Sequence, residues 1–215
     1  MEANIQRYAD QLVERYPALQ VVKEAVTSAY TLLEYRFSKG GKLLVAGNGG
    51  SAADAEHIVG ELMKGFKKKR CVSQAFQEQL KAVDPVRGEQ LGRDLQGALP
   101  ALALTNHTAL NSAFLNDVNG LESFAQQVYG YGSMDDVFLA ISTSGNSKNI
   151  LYATAVARAK GIPVIGLTGA DGGELAKIAD VAICVPETET YMVQELHLPV
   201  YHCLCLMLEE RFFGG

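Results

Sequence analysis

Five short apolar runs recur along the chain, at residues 42–47, 99–105, 137–142, 163–168 and 181–186. Each run is apolar along its length and does not alternate between apolar and polar positions. Such runs are typical of strands that are buried on both faces of a parallel sheet. The pattern therefore predicts five buried, parallel strands.

Helical periodicity occupies several of the gaps between these runs. It predicts helices over 52–63, 147–160, 173–179 and 195–212. Alternating strand and helix signals predict an α/β fold with a doubly wound sheet and helices on both faces. Ligands of such folds bind beyond the carboxyl ends of the strands, near the point where the strand order reverses.

Two segments lie outside this alternation. Residues 1–38 carry apolar side chains at helical spacing, and Pro17 divides them, which predicts an N-terminal helical hairpin. Residues 65–98 form an insertion with one or two predicted helices, which is either a surface or oligomer contact or a lid over the site. A length of 215 residues with 48% hydrophobic composition fits one domain over 1–215.

Composition and charge narrow the functional class. A net charge of −5 argues against general nucleic-acid binding. The basic run at 67–70 is predicted to be a solvated loop, with a phosphate or interface contact as the alternative. The four cysteines form no C-x-x-C pair, the N-terminus is polar, and no apolar run is long enough to span a bilayer. We therefore expect a soluble, cytoplasmic protein with no membrane contact.

The first predicted strand is followed by a glycine-rich loop, Gly47-Asn48-Gly49-Gly50-Ser51, and then by a helix. The first N–H groups of such a helix can bind an anion. Ser51 and Asp54 also match a capping box, which is a purely structural explanation. The loop fits G-x-G-x-x-A, yet the second strand lacks the closing acidic residue and no Walker motif occurs. A dinucleotide-dependent oxidoreductase is therefore the weaker alternative.

The third predicted strand ends in a loop rich in hydroxyl groups, which also precedes a helix. Capping a helix needs one hydroxyl, whereas this loop supplies four, from Ser142, Thr143, Ser144 and Ser147. Several hydroxyls beside fresh backbone N–H groups suit the oxygens of a phosphate monoester. The sequence therefore predicts a phosphate site at this strand end.

Titratable and polar side chains occur on two predicted helices. His57 and Glu61 are four residues apart and share a helix face, as acid/base partners or metal ligands do, although a surface hydrogen-bonded pair has the same spacing. Gln194 and His202 lie in the apolar C-terminal helix, and helical geometry lets them converge. The same geometry directs His197 elsewhere.

In their order and spacing, these segments closely resemble the phosphoheptose isomerases, the sedoheptulose 7-phosphate isomerase branch of the SIS-domain proteins. The resemblance covers roughly residues 20–212 apart from the insertion and includes G-N-G-G-S, A-A-D-A-E-H-I-V-G-E-L, L-N-D, I-S-T-S-G-N-S, L-T-G-A-D-G-G and Q-E-L-H. It implies a three-layer αβα sandwich of flavodoxin-like type that assembles as a homotetramer. It also implies interconversion of sedoheptulose 7-phosphate and D-glycero-D-manno-heptose 7-phosphate.

The resemblance also implies roles for individual residues. Glu61 and His202 would be the catalytic acid/base pair. The substrate would be bound by Asn48, Gly49, Gly50, Ser51, Asn116, Asp117, Ser142, Thr143, Ser144, Ser147 and Gln194. A zinc ion would be bound by His57, Glu61, Gln194 and His202. Moving a carbonyl between C1 and C2 needs a base and an acid or a metal ion, and no organic cofactor.

A non-catalytic SIS-domain protein is the alternative, either a sugar-phosphate sensor or the bacterial adaptor that binds the replication initiator. That adaptor lacks the counterparts of Glu61 and His202, and both residues are present here, which favours an enzyme. The apolar N-terminal helices predict oligomerisation, because an exposed apolar stripe would be unfavourable in a monomer.

Overall fold

Five strands form one parallel sheet in the computed structural model, which describes residues 2–214. The spatial order is β2-β1-β3-β4-β5, and every neighbouring pair is parallel. The predicted sheet is confirmed. The strands are β1 (Leu43–Ala46), β2 (Ala101–Ala103), β3 (Val137–Ile141), β4 (Val164–Thr168) and β5 (Val181–Cys184).

Ten α-helices surround the sheet within residues 2–214. They are α1 (Ala3–Arg15), α2 (Lys23–Ser38), α3 (Gly50–Met63), α4 (Gln74–Val83), α5 (Pro85–Asp94), α6 (Thr108–Asp117), α7 (Ser123–Tyr131), α8 (Lys148–Ala159), α9 (Gly173–Ile178) and α10 (Thr190–Phe213). The last of them begins at Thr190, earlier than predicted, and continues through Pro199.

Side chains alternate between the two faces of the sheet and enter two apolar clusters. On β1, Leu43 and Val45 pack with α1, α2, α3 and α10, whereas Leu44 and Ala46 pack with α7, α8 and α9. Both faces are therefore covered by helices, as parallel sheets require. This confirms the three-layer α/β class.

The N-terminal helices bury their apolar stripe within the chain. Ile5, Tyr8 and Leu12 of α1 are each at most 5% exposed and belong to the cluster that includes α10. The stripe is therefore not left exposed, and the argument for oligomerisation from an uncovered stripe is wrong. The oligomeric state itself stays a prediction.

The insertion contains two helices, α4 and α5, which pack against each other. No residue of α4 is buried. An isolated antiparallel bridge joins Cys71 to Gln96 at the base of this hairpin, and the N–H of Gly97 donates to the carbonyl oxygen of Arg70 at 2.7 Å. The hairpin thus leaves and rejoins the domain at one place.

The basic run is only partly the solvated loop that the sequence predicted, because Lys67 and Lys69 are exposed whereas Arg70 is buried. Arg70 is 1% exposed, and its Nε lies 2.9 Å from Oε1 of the buried Glu209 on α10. The same carboxylate accepts the backbone N–H groups of Phe66, Lys67 and Lys68 at 2.9–3.1 Å. Arg70 therefore attaches this segment to α10, because a buried cation needs a paired anion.

Arg70 also caps the C-terminus of α3, the helix that bears Glu61. Its guanidinium donates to the backbone carbonyl oxygens of Leu62 and Glu61, at 2.8 and 3.1 Å. The last carbonyl groups of a helix lack intrahelical partners, so Arg70 satisfies two of them at the end of α3.

In residues 2–214, no helix combines the length and hydropathy that crossing a bilayer requires.

The strand order reverses between β1 and β3. From β1 the chain moves outward to β2, and it then returns to place β3 on the other side of β1. The loops that follow β1 and β3 therefore flank a crevice at the carboxyl edge of the sheet, which is where ligands bind in this class of fold.

Candidate active site

The loop after β1 turns directly into α3. Gly49 is the N-cap residue and has φ 55°, a conformation that favours glycine. Ser51 lies inside the first turn, is buried, and makes no capping hydrogen bond, so the predicted capping box is wrong. The turn also uses the N–H groups of Ser51 and Ala52, which donate to the carbonyl oxygens of Asn48 and Gly49. Fewer donors are therefore free for an anion than the sequence suggested.

The loop after β3 offers the better anion site. The hydroxyls of the buried Ser142 and of Ser147 lie 3.0 Å apart, and Ser142 Oγ accepts the N–H of Ser147 at 3.4 Å. Thr143 is half-buried and Ser144 is exposed at the turn. The next residue, Gly145, has φ 65°, and a Cβ there would collide with backbone atoms of the loop after β4. The four predicted hydroxyls are thus gathered at the first turn of α8, where unpaired N–H groups begin.

A reciprocal amide pair joins the two loops across the crevice. Asn48 Nδ2 donates to Asn149 Oδ1 at 3.0 Å, and Asn149 Nδ2 donates to Asn48 Oδ1 at 2.8 Å. Asn48 is exposed and Asn149 is half-buried. Sequence reasoning identified Asn48 and missed Asn149, because nothing in the sequence indicates that residues about a hundred positions apart share a bond.

Side chains from α3 and α10 form a second cluster. Nε2 of His57 lies 3.2 Å from Oε1 of Glu61 and 3.5 Å from Nε2 of His202. The side chain of His57 is 42% exposed and that of Glu61 is 13% exposed. Burial, and then the neighbouring His57, lower the pKa of His202, and Glu61 opposes this. His202 is therefore neutral at pH 7, so it can either accept or donate a proton.

Two residues behind this cluster were not identified from the sequence as site residues. Tyr201 donates a hydrogen bond to Asp54 at 3.1 Å, and its hydroxyl oxygen lies 3.0 Å from Nδ1 of His57. Burial raises the pKa of Tyr201, so the phenol stays protonated. Asp54 precedes His57 by nearly one helical turn, which is a faint signal that it shares the same face.

The cluster suits a zinc ion in the type and spacing of its donors. Zinc prefers imidazole nitrogen and carboxylate oxygen at about 2.0–2.2 Å, which places tetrahedral donors about 3.3 Å apart. The donor separations here are 3.2 and 3.5 Å, and the buried Glu61 Oε2 has no hydrogen-bond partner. Within the described part of the chain, no three His, Cys, Asp or Glu side chains are placed so that they could hold a metal ion together as they stand. Small side-chain rotations would therefore accompany binding.

Other predicted residues lie apart from the cluster. Gln194 packs against Gly50, since a Cβ on that glycine would collide with its side-chain amide, and Gln194 makes no hydrogen bond to His57, Glu61 or His202. Its convergence with His202 therefore stays a prediction. Asn116 and Asp117 end α6, are exposed, and hydrogen-bond to each other at 2.7 Å.

His197 points away from the cluster, as predicted. It is 0% exposed, and its Nε2 lies 3.2 Å from the carbonyl oxygen of Thr168 at the end of β4. Burial lowers the pKa of His197 to about 4, although the bond to Thr168 opposes this. Its Nδ1 is buried without a partner, so the ring is neutral and contributes to packing.

A cavity of about 130 Å³ lies between α1 and α10, and His202 is one of the residues that line it. Gln11, Arg15 and Tyr16 of the N-terminal region line it together with Pro199. Ligand pockets usually measure about 300–1,000 Å³, so this cavity is too small for a whole sugar phosphate. It nevertheless leaves open space beside the side chain of His202, on the side that faces α1.

A protein-family model and a curated protein both match this chain. The family model described as SIS domain matches residues 96–169. A curated phosphoheptose isomerase from Rhodospirillum rubrum is 36% identical over 210 residues, which cover 98% of each chain.

Two solved structures also resemble this chain over nearly its whole length. A phosphoheptose isomerase from Francisella tularensis is 30% identical with a TM-score of 0.75, and the match covers 96% of both chains. The phosphoheptose isomerase GmhA from Neisseria gonorrhoeae is 31% identical with a TM-score of 0.72, and the match covers 95% of this chain and 98% of that one. The likeness therefore includes the strand-end loops as well as helices α3 and α10.

Proposed function

The chain belongs to the phosphoheptose isomerase family, and on that premise we propose that it interconverts sedoheptulose 7-phosphate and D-glycero-D-manno-heptose 7-phosphate. The observation that carries this proposal is the cluster of His57, Glu61 and His202. Nε2 of His57 lies 3.2 Å from Oε1 of Glu61 and 3.5 Å from Nε2 of His202. The cluster combines a carboxylate with a neutral imidazole, and these are the groups that an aldose–ketose isomerisation needs.

The substrate would be anchored by its phosphate at the loop after β3. The hydroxyls of Ser142, Thr143, Ser144 and Ser147 and the first N–H groups of α8 supply donors there. Across the crevice, α3 begins beside Asn48 and carries His57 and Glu61 about two and three turns further along. A sugar held by its phosphate would thus extend toward the proton-transferring groups.

Glu61 would act as the base. Its Oε1 faces His57, whereas its Oε2 has no hydrogen-bond partner and lies 3.8 Å from Nζ of Lys64. The carboxylate would accept a proton from the carbon beside the carbonyl. Returning that proton to the neighbouring carbon converts the aldose into the ketose through an enediolate. His202, which is neutral at pH 7, would move the second proton between the two sugar oxygens. Positioned proton transfer of this kind contributes a factor of about 10²–10⁴ in rate.

A zinc ion is the cofactor that these residues suit. His57, Glu61 and His202 would bind it, with Gln194 as a further ligand implied by the family resemblance. When bound, zinc supplies Lewis-acid stabilisation of the negative charge that develops on the sugar oxygens. Glu61 would still carry the proton between the two carbon atoms, through the carboxylate oxygen that does not bind the ion.

The test is NMR-detected turnover of heptose, hexose and pentose phosphates, with and without added zinc. We expect turnover of the heptose phosphate by the wild type and a loss of at least about 100-fold in Glu61→Gln. Glu56→Gln is the matched control, since Glu56 is an exposed carboxylate on the same helix. Binding of phosphate esters without any turnover would contradict the proposal and favour a sugar-phosphate sensor or an adaptor.

We further propose a homotetramer in the cytoplasm. The support is the family resemblance alone, because the apolar stripe of the N-terminal helices is buried within the chain. Light scattering at micromolar protein concentration tests the assembly, and a monomeric mass would refute it.

A further inference from the structure

Three side chains are hydrogen-bonded in series on the side of His57 that faces away from Glu61. Asp54 on α3 accepts a hydrogen bond from the Tyr201 hydroxyl at 3.1 Å, and the Tyr201 oxygen lies 3.0 Å from Nδ1 of His57. Tyr201 is 2% exposed. None of the steps proposed for the isomerisation uses Asp54 or Tyr201, so this partly buried series needs another explanation.

Counting hydrogens fixes the direction of the series. An ionised aspartate accepts hydrogen bonds and cannot donate them. Burial raises the pKa of Asp54, and the hydrogen bond from Tyr201 and the nearby His57 oppose the rise. The direction of the series rests on the geometry of the bond, in which the Tyr201 hydroxyl donates to Oδ1 of Asp54. Tyr201 has a single hydrogen, and it is directed to Asp54. The Tyr201 oxygen can therefore only accept from His57, which requires a hydrogen on Nδ1 of His57.

This tautomer has a consequence on the opposite side of the ring. With the proton on Nδ1, Nε2 of His57 presents a lone pair toward Oε1 of Glu61 at 3.2 Å and Nε2 of His202 at 3.5 Å. Acceptors directed at one another repel unless a cation or a shared proton lies between them. The other tautomer would place a proton on Nε2 and block it as a metal ligand.

We infer that Tyr201 and Asp54 are positioning residues that hold His57 in its Nδ1–H tautomer, so that Nε2 is free to bind a divalent cation together with Glu61 and His202. This inference rests on the zinc site of the proposed function. Outer partners of this kind orient metal-binding histidines and increase the basicity of the ligating nitrogen.

A purely structural role for Tyr201 predicts a different result. Its ring packs edge-on against His57 with centroids 5.5 Å apart and belongs to the main apolar cluster. Tyr201→Phe keeps this ring and removes only the hydroxyl. If packing were its whole contribution, the variant would leave both the tautomer of His57 and the zinc affinity unchanged.

Two measurements on the metal-free protein separate these roles. Imidazole ¹⁵N chemical shifts of histidine-labelled protein report the tautomer of His57 without zinc or turnover, and competition with a fluorescent chelator reports the zinc affinity. We expect Nδ1–H in the wild type and a shift toward Nε2–H in Tyr201→Phe. We also expect zinc binding to weaken about 10- to 100-fold in that variant.

Tyr8→Phe is the matched control. The Tyr8 hydroxyl is buried and donates to a carboxylate oxygen of Glu210 at 3.1 Å. Glu210 lies about two turns of α10 beyond His202. This variant also loses a buried hydroxyl-to-carboxylate bond, yet it should change neither the tautomer nor the zinc affinity. Circular dichroism of each variant establishes that it is folded.

Asp54→Asn provides a second variant that preserves shape. The amide can donate to the Tyr201 oxygen, which frees the Tyr201 hydrogen to point at Nδ1 of His57. We expect the Nε2–H tautomer to be enriched in this variant even where packing is unchanged.

The inference is overturned if wild-type His57 carries its proton on Nε2, or if Tyr201→Phe shifts the tautomer without weakening zinc. It is also overturned if the wild type binds no zinc. A wild type that shows the expected tautomer and zinc affinity but no turnover would refute the isomerase proposal alone.

Discussion

The buried ion pair between Arg70 and Glu209 should make a large contribution to the stability of the fold. Both side chains are at most 2% exposed, and their nitrogen and oxygen lie 2.9 Å apart. Arg70→Met keeps most of the side-chain volume but leaves the Glu209 carboxylate buried without its cation. Removing one partner of a buried pair costs about 3–5 kcal/mol, and a domain is stable by only about 5–15 kcal/mol.

Urea unfolding monitored by circular dichroism measures this loss. With a slope of about 2–3 kcal/mol per molar urea for a chain of this size, the midpoint should fall by about 1–2 M. Arg93→Met is the matched control, because Arg93 pairs with Asp94 at the surface, with side chains 71% and 55% exposed. Exposed pairs contribute at most about 1 kcal/mol.

A loss below about 1 kcal/mol in Arg70→Met would refute this reasoning, and so would equal losses in the two variants. The result also bears on the site, because Arg70 donates to the backbone carbonyl of Glu61 at 3.1 Å. In variants that remain folded, we therefore expect the turnover number to fall in Arg70→Met and to be unchanged in Arg93→Met.

Three further results are expected. The folded pKa of His197, about 4, lies below its ordinary value of about 6.5. The stabilising effect of its neutral form is therefore complete above pH 6.5 and is lost as the pH falls toward 4. Urea unfolding should show a loss of about 3 kcal/mol over that window relative to His197→Gln, and parallel pH profiles would contradict this. Gly145→Ala should lower the melting temperature, since it adds about 1–2 kcal/mol of strain at φ 65° and a clash. Gly60→Ala, in open space within a helix, should instead stabilise the fold by about 0.5–1 kcal/mol, and equal melting shifts would refute the distinction. Asn149→Ala should raise KM for the sugar phosphate several-fold and change stability by less than about 1 kcal/mol, whereas unchanged steady-state kinetics would show that the amide pair does not position the loop.

The strands could be predicted from the sequence because burial on both faces leaves an unambiguous pattern. All residues of β1, β3 and β4 are buried, and each of these strands was predicted to within one or two residues. The helices α6 and α7 were not predicted. No residue of α6 is buried, so it has no apolar face to produce a helical period.

The site was predictable only where its residues are close in sequence. His57 and Glu61 share a helix, and four hydroxyls share one loop, so spacing alone brings them together. The bonds from Tyr201 to Asp54 and from Arg70 to Glu209 join residues more than 130 positions apart. No local periodicity records such pairs, and they arise only when the sheet brings α3 and α10 side by side.

The helical hairpin of α4 and α5 has a consequence for how this protein can be altered. Its two ends meet at the bridge between Cys71 and Gln96, and α4 contributes nothing to the core. Because closure entropy grows only slowly with loop length, evolution can lengthen, shorten or exchange this segment at little thermodynamic expense. The same junction offers protein engineers a place to graft a fluorescent or affinity module while the crevice at the strand ends keeps its shape.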